Sequence, residues 1–215
     1  MKKVKFIVFI CLFILLPLAY FNGFIRISDL TSEQESIAKK YGGVYVFDEK
    51  LEKEIDKREE ERDKVNKEIL KEVSNIQDKE EQNKQLRLLL QERFYDNPKL
   101  ERVLSNGKKY YSRKDNIKID NYKILNNYEE KLKEFMGKDY DKYENYLSIN
   151  LGYFYIDNDT IVPISIGVST LYTEVTFGLY GDEASGIKFT KESTQRLIGD
   201  NKFYLTDNKF QKINK

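Results

Sequence analysis

Histidine and tryptophan are absent, cysteine occurs once and proline three times. Without an imidazole the chain cannot assemble a Ser-His-Asp or Cys-His nucleophile, a histidine zinc site or a histidine general base. With Cys11 alone, no intrachain disulfide can form, so the fold must rest on the burial of apolar surface. Neither sign of charge is in excess: 37 basic residues face 36 acidic ones. That balance lacks the broad electrostatic footprint of a nucleic-acid binder. No catalytic, cofactor or metal constellation stands out from the composition.

The residues that are present form their first pattern at the N-terminus. Lys2, Lys3 and Lys5 precede a run from Phe6 to Ile25 whose only strongly polar member is Asn22. About 20 apolar residues in a helix span roughly 30 Å of hydrocarbon. The lysines predict a cytoplasmic N-terminus with everything after Ile25 outside. Paired small residues at alternate positions are missing near Ala19, so an uncleaved signal anchor is expected, with secretion after signal cleavage as the alternative. Setting the three stub lysines aside leaves 34 basic against 36 acidic residues.

Thr31 with Gln34 and Ser32 with Glu35 both have capping-box spacing at the head of a short helix that Gly42 and Gly43 end. Asp48 is a plausible N-cap for a long helical segment, since no glycine or proline occurs from there to Tyr95. Leu51, Ile55, Val65, Ile69, Ile76, Leu86 and Leu90 fall on one alternating four-and-three register, broken by Arg58, Arg62, Glu72, Lys79 and Asn83. This predicts either a continuous coiled-coil-like helix or a helical hairpin bent between Asn75 and Asn83. Val65, Ile69 and Ile76 need shelter that an isolated helix cannot give, which makes them candidate partner-binding residues. Leu86, Leu88, Leu89, Leu90 and Phe94 form a denser apolar knot expected to insert into the C-terminal domain.

Asn97 and Pro98 change the texture. Asn106-Gly107 is a two-residue hairpin signal, and Asn126 to Ser148 has helical spacing interrupted at Gly137. Tyr140, Tyr143 and Tyr146 on that helix read as core. Tyr153–Ile156 and Thr160–Val168 flank the turn Asp157-Asn158-Asp159, and Leu171–Tyr180 alternates as a strand. A last helix is expected from a cap at Thr190 to Gly199, with a closing strand over Lys202–Thr206. Between Gly181 and Gly186 a polar loop offers Asp182, Glu183 and Ser185 as candidate partner-binding residues. Lys108, Lys109, Arg113 and Lys114, interleaved with Tyr110 and Tyr111, suggest a basic hairpin rim touching a partner or lipid headgroups.

The expected fold class is α+β, in five parts: a cytoplasmic stub (1–5), a transmembrane signal anchor (6–25), a short helix and linker (26–47), a long charged helical segment (48–96), and an α+β domain with antiparallel hairpins (97–215). The expected function is a non-enzymatic interaction or assembly role in a bacterial cell envelope, immunity or inhibitor proteins included. Its membrane contact would be the N-terminal helix, and its partner another envelope protein or a second copy. The alternative is an extracytoplasmic enzyme or small-ligand binder using carboxylates or lysine of the α+β domain. No cofactor and no nucleic acid are expected.

Overall fold

A computed structural model describes residues 2–115, 117–125, 127–181 and 186–213. The chain opens with α1 (Lys2–Ile10), a π-helical turn (Cys11–Leu15) and α2 (Leu16–Phe21), then β1 (Asn22–Ser28), α3 (Ser32–Tyr41) and β2 (Gly43–Val46). Two longer helices come next, α4 (Glu49–Val73) and α5 (Lys79–Leu90), and a second π turn (Gln91–Tyr95). Short strands β3 (Tyr110–Ser112) and β4 (Lys123–Ile124) precede α6 (Asn127–Met136) and α7 (Lys138–Tyr143). The remainder is extended: β5 (Leu147–Leu151), β6 (Tyr153–Asp157), β7 (Thr160–Pro163), β8 (Ser165–Tyr180), β9 (Lys188–Ile198), β10 (Asn201–Thr206) and β11 (Lys209–Lys212). The mixed α+β class is as expected, and the chain divides into two compact units that each draw on several stretches of sequence.

The first unit comprises residues 1–43, 139–148 and 168–201. Its sheet is built on β8, from Val168 onward, which pairs antiparallel with β1 on one side and with β9 on the other. Ile25 and Ile27 lie opposite Phe177 and Val175, and Tyr20 sets its ring 5.5 Å from that of Phe177. Helix α3 carries the capping box read from the sequence, Thr31 and Gln34 bonding each other's backbone, and buries Ile37, Ala38 and Tyr41. Its C-terminal carbonyls are satisfied from a distance in sequence: the Asn201 side-chain amide donates to Lys39 O at 2.8 Å and Gly42 O at 2.7 Å. Gly199 fits there because a Cβ would stand 2.3 Å from both Ala38 O and Gly42 O.

The expectation of a transmembrane anchor over 6–25, and with it of a single-pass membrane protein, is corrected here. No helix among the described residues is long and apolar enough to cross a membrane. The regular helix α1 has nine residues, a rise of about 14 Å. Gly23, at φ +71°, leaves the helical conformation, and the alternation of Ile25 and Ile27 with Arg26 and Ser28 is read by β8 as strand, not helix. The extracytoplasmic and cell-envelope address rested on that span and loses its support. A second correction concerns Thr190–Gly199, expected as a helix. It lies largely in β9, because β8 offers a matching edge from Ser169, opposite Ile198, to Tyr180, opposite Lys188. Tertiary pairing overrides a weak local preference here.

The second unit comprises residues 44–138, 149–167 and 202–215. In it α4 and α5 form a helical hairpin with its bend at residues 74–78, so a continuous coiled coil is not formed. Asp48 and Asp78 cap the two helices by accepting from Leu51 N and from Glu80 N and Glu81 N. A four-stranded sheet in the order β3-β6-β7-β4 supports the hairpin's base. The β6–β7 turn sits on Asn158 and Asp159, both at positive φ. Leu51, Ile55, Leu104, Tyr110 and Ile164 form one core cluster. Tyr45, Phe135, Phe203 and Phe210 form a second, with Tyr45 stacked on Phe203 at 4.5 Å and edge-on to Phe210 at 4.9 Å. The apolar knot does not enter a core: Leu88 is 55% exposed, and α5 buries no residue fully.

Gly199→Ala is expected to lower stability by about 1–3 kcal/mol, because its Cβ meets backbone oxygens that cannot step aside. Urea denaturation monitored by circular dichroism reads the shift in midpoint.

Candidate functional site

The site with the most convergent chemistry is a cleft of about 530 Å³ in the second unit. One wall is α4, which contributes Arg62 to the lining, with Glu59 three residues earlier on the same face. The segment after the 3-10 turn Pro98–Leu100 crosses this face, tied down by Arg58 Nη1 donating to Glu101 O at 3.4 Å and by Arg62 Nη1 donating to Leu100 O. The chain then turns at Asn106-Gly107, with Gly107 at φ +75°, and brings back Tyr110 and Tyr111. Phe94 and Tyr95, from the second π turn, complete the lining.

Four charged side chains alternate in sign through the floor. Glu59 receives Arg102 as a fork, Nε to Oε1 at 2.8 Å and Nη2 to Oε2 at 3.2 Å. Arg102 Nη1 reaches both oxygens of Asp115, at 2.9 and 3.0 Å. The Tyr110 hydroxyl donates to Glu59 Oε1 at 2.8 Å, and Arg62 Nε lies 3.5 Å from the same oxygen. Arg62 also stacks its guanidinium 4.5 Å from the Phe94 ring centroid. Bidentate and charge-assisted bonds of this kind are the strong ones.

These contacts set the electrostatics. Burial pushes the Tyr110 phenol well above its ordinary range and the bond to Glu59 pushes it further, so it stays a donor. Burial would raise the Asp115 carboxyl, but the Ser112 backbone N–H at 2.6 Å and the Arg102 charge outweigh it and hold the pKa below the usual carboxylate range. At Arg102 burial is likewise outweighed by Glu59, which raises the pKa. Each charged group of the floor is therefore bonded or paired to a neighbour. At the rim Tyr95 is 66% exposed, and Lys109 is exposed with its ammonium 5.9 Å from the Tyr111 ring.

Of the residues singled out from sequence, Phe94, Lys109, Tyr110 and Tyr111 line this cleft. Val65 is half-buried, Ile69 is fully buried within the second unit, and Ile76 lies in the bend between α4 and α5. The shelter that Ile69 requires is thus supplied by its own chain. Asp182, Glu183 and Ser185 lie outside the described residues. Glu59, Arg62, Arg102 and Asp115 were not singled out. The available signal was Arg58 and Arg62 at apolar register positions of the long helix, where a charged residue implies a buried counter-charge. Among the described residues no cluster of acidic or cysteine side chains could hold a metal ion. No family model, curated protein or solved structure matches the chain.

Replacing Arg102 by Met is expected to cost about 1–3 kcal/mol, since two partly buried carboxylates lose their shared partner. Asp115, with its pKa depressed on folding, contributes stability that is complete above the ordinary carboxylate value and lost as pH falls through the folded one. Asp115→Asn should therefore flatten the loss of stability below about pH 4 while lowering stability at neutral pH. Thermal melts from pH 7 downward read both effects.

Proposed function

We propose that this chain is a non-enzymatic interaction protein, and that the cleft of its second unit receives a segment of another protein. The observation that carries this reading is the pairing of a self-neutralised charged floor with an exposed aromatic and cationic rim. Glu59, Arg62, Arg102 and Asp115 satisfy one another, so they shape the cleft without demanding a charged ligand. Tyr95, Tyr111 and Lys109 remain for a visitor. Tyrosine and arginine around an open depression are the residue types that dominate the centres of protein interfaces. Lys109 over the Tyr111 ring favours a segment bearing a carboxylate beside an apolar or aromatic side chain.

A cleft of about 530 Å³ also lies within the range of small-molecule sites, which favours a small-ligand binder as the second reading.

A photo-reactive side chain placed at Tyr95 of the full chain, expressed in its own cell, distinguishes the two. A discrete protein adduct is expected at Tyr95 and not at Lys67, an exposed position of α4, and Lys109→Glu should lower its yield roughly tenfold. Equal capture at both positions refutes the reading. A low-mass adduct without a protein one selects the small-ligand alternative.

A further inference from the structure

In the first unit β9 is an edge strand: among the described residues it pairs only with β8. Its 11 residues leave a row of backbone donors and acceptors on the open side. Lys188 to Glu192 are exposed throughout. From there the strand alternates, with Thr194, Arg196 and Ile198 exposed on one face and Ser193, Gln195 and Leu197 half-buried on the other. Among the described residues no ion pair within the chain engages Glu192 or Arg196.

Charges on an edge usually blunt it against pairing, but here their order matters. Two copies of one strand can join antiparallel about a two-fold axis normal to the sheet, which keeps each residue on its own face. The axis must then pass beside one residue and its copy. Centred on Ser193, Glu192 meets Thr194 and Arg196 meets Thr190, so no charges are paired. Centred on Glu192, the two glutamates collide and Lys188 meets Arg196. Centred on Gln195, Glu192 faces the apolar Ile198. Centred on Thr190, Glu192 faces Lys188 twice, but only Lys188–Glu192 of the strand is paired. Centred on Thr194, Glu192 faces Arg196 twice, Thr194 faces its copy, and Lys188 is level with Asp200, just past the strand. Opposite charges directly across a strand pair stabilise it and like charges oppose it.

We infer that β9 is a self-association edge, on which a second copy of this chain adds its own β9 antiparallel with Thr194 on the two-fold axis. The β1-β8-β9 stretches of the two copies then run on as one continuous sheet, with the Glu192–Arg196 pairs on the open face. Because those pairs are solvated, the dimer weakens as salt rises.

Sedimentation equilibrium of the full chain, with charge reversal and cysteine trapping, tests this. Glu192→Arg and Arg196→Glu should each raise the dimer Kd by about tenfold or more, and the double exchange should restore it towards the starting value. With Cys11, which is exposed, replaced by Ser, Thr194→Cys should form a disulfide-linked dimer under mild oxidation. Opposed residues sit about 4.5–5.5 Å apart at Cα, within disulfide reach. Glu192→Cys, facing Arg196, should link much more slowly. A monomeric chain, single reversals without effect, a double exchange that fails to restore association, or equal trapping at positions 192 and 194 would each overturn the inference.

Discussion

The Glu59 carboxylate is the point on which the second unit turns. One of its oxygens accepts from Arg102 and from Tyr110, and Arg62 stands beside it. Those donors come from three stretches of chain: the long helix, the crossing segment after Leu100, and the strand beyond the Asn106-Gly107 turn. A partly buried carboxylate left without these donors would carry its desolvation cost uncompensated. The crossing segment is therefore held against α4 by electrostatics as well as by Leu100 and Leu104, which are 6% and 2% exposed. Asp115 extends the chain of charge by one more link and closes its own turn by accepting from Ser112.

This arrangement is what the proposal of a partner-binding cleft rests on. Catalytic groups need a pKa matched to their task and a proton to give or take. Here burial, reinforced by the bond to Glu59, moves Tyr110 up, while the Ser112 N–H and the Arg102 charge move Asp115 down against burial. The side chains that remain uncommitted are at the rim, where an aromatic face and an ammonium can meet another molecule without first breaking a network.

In the first unit the corresponding constraint is the length of β8. From Val168 to Tyr180 this strand provides an edge on each side, and the sequence that comes to those edges takes strand conformation whatever its local preference. Thr190–Ile198 shows this: its polar, threonine-rich composition fits a capped helix as well as a strand, and only the antiparallel register with β8 decides. Asn22–Ser28 shows it again at the other edge. Ile25 and Ile27 belong to a period of two there, although they come after an apolar run that reads as a period of 3.6.

The sequence by itself determined the features that depend on neighbours within a few residues. The Thr31–Gln34 capping box, the Asp48 cap, the Asp157–Asp159 turn and the burial of Tyr140 and Tyr143 at 2% and 8% exposure all rest on local bonds or one helical period, whereas Tyr146, expected in the same core, is 46% exposed in the 3-10 turn past the helix. Tertiary structure alone decided which segments became the edges of β8, that Arg102 at a loop position would find Glu59 forty-three residues away, and that Asn201 would cap α3 across 162 residues. Spacing along a chain encodes the period of a helix or the reach of a cap. It does not encode which distant carboxylate or carbonyl will lose its water when the chain closes, and that desolvation selects the long-range partners.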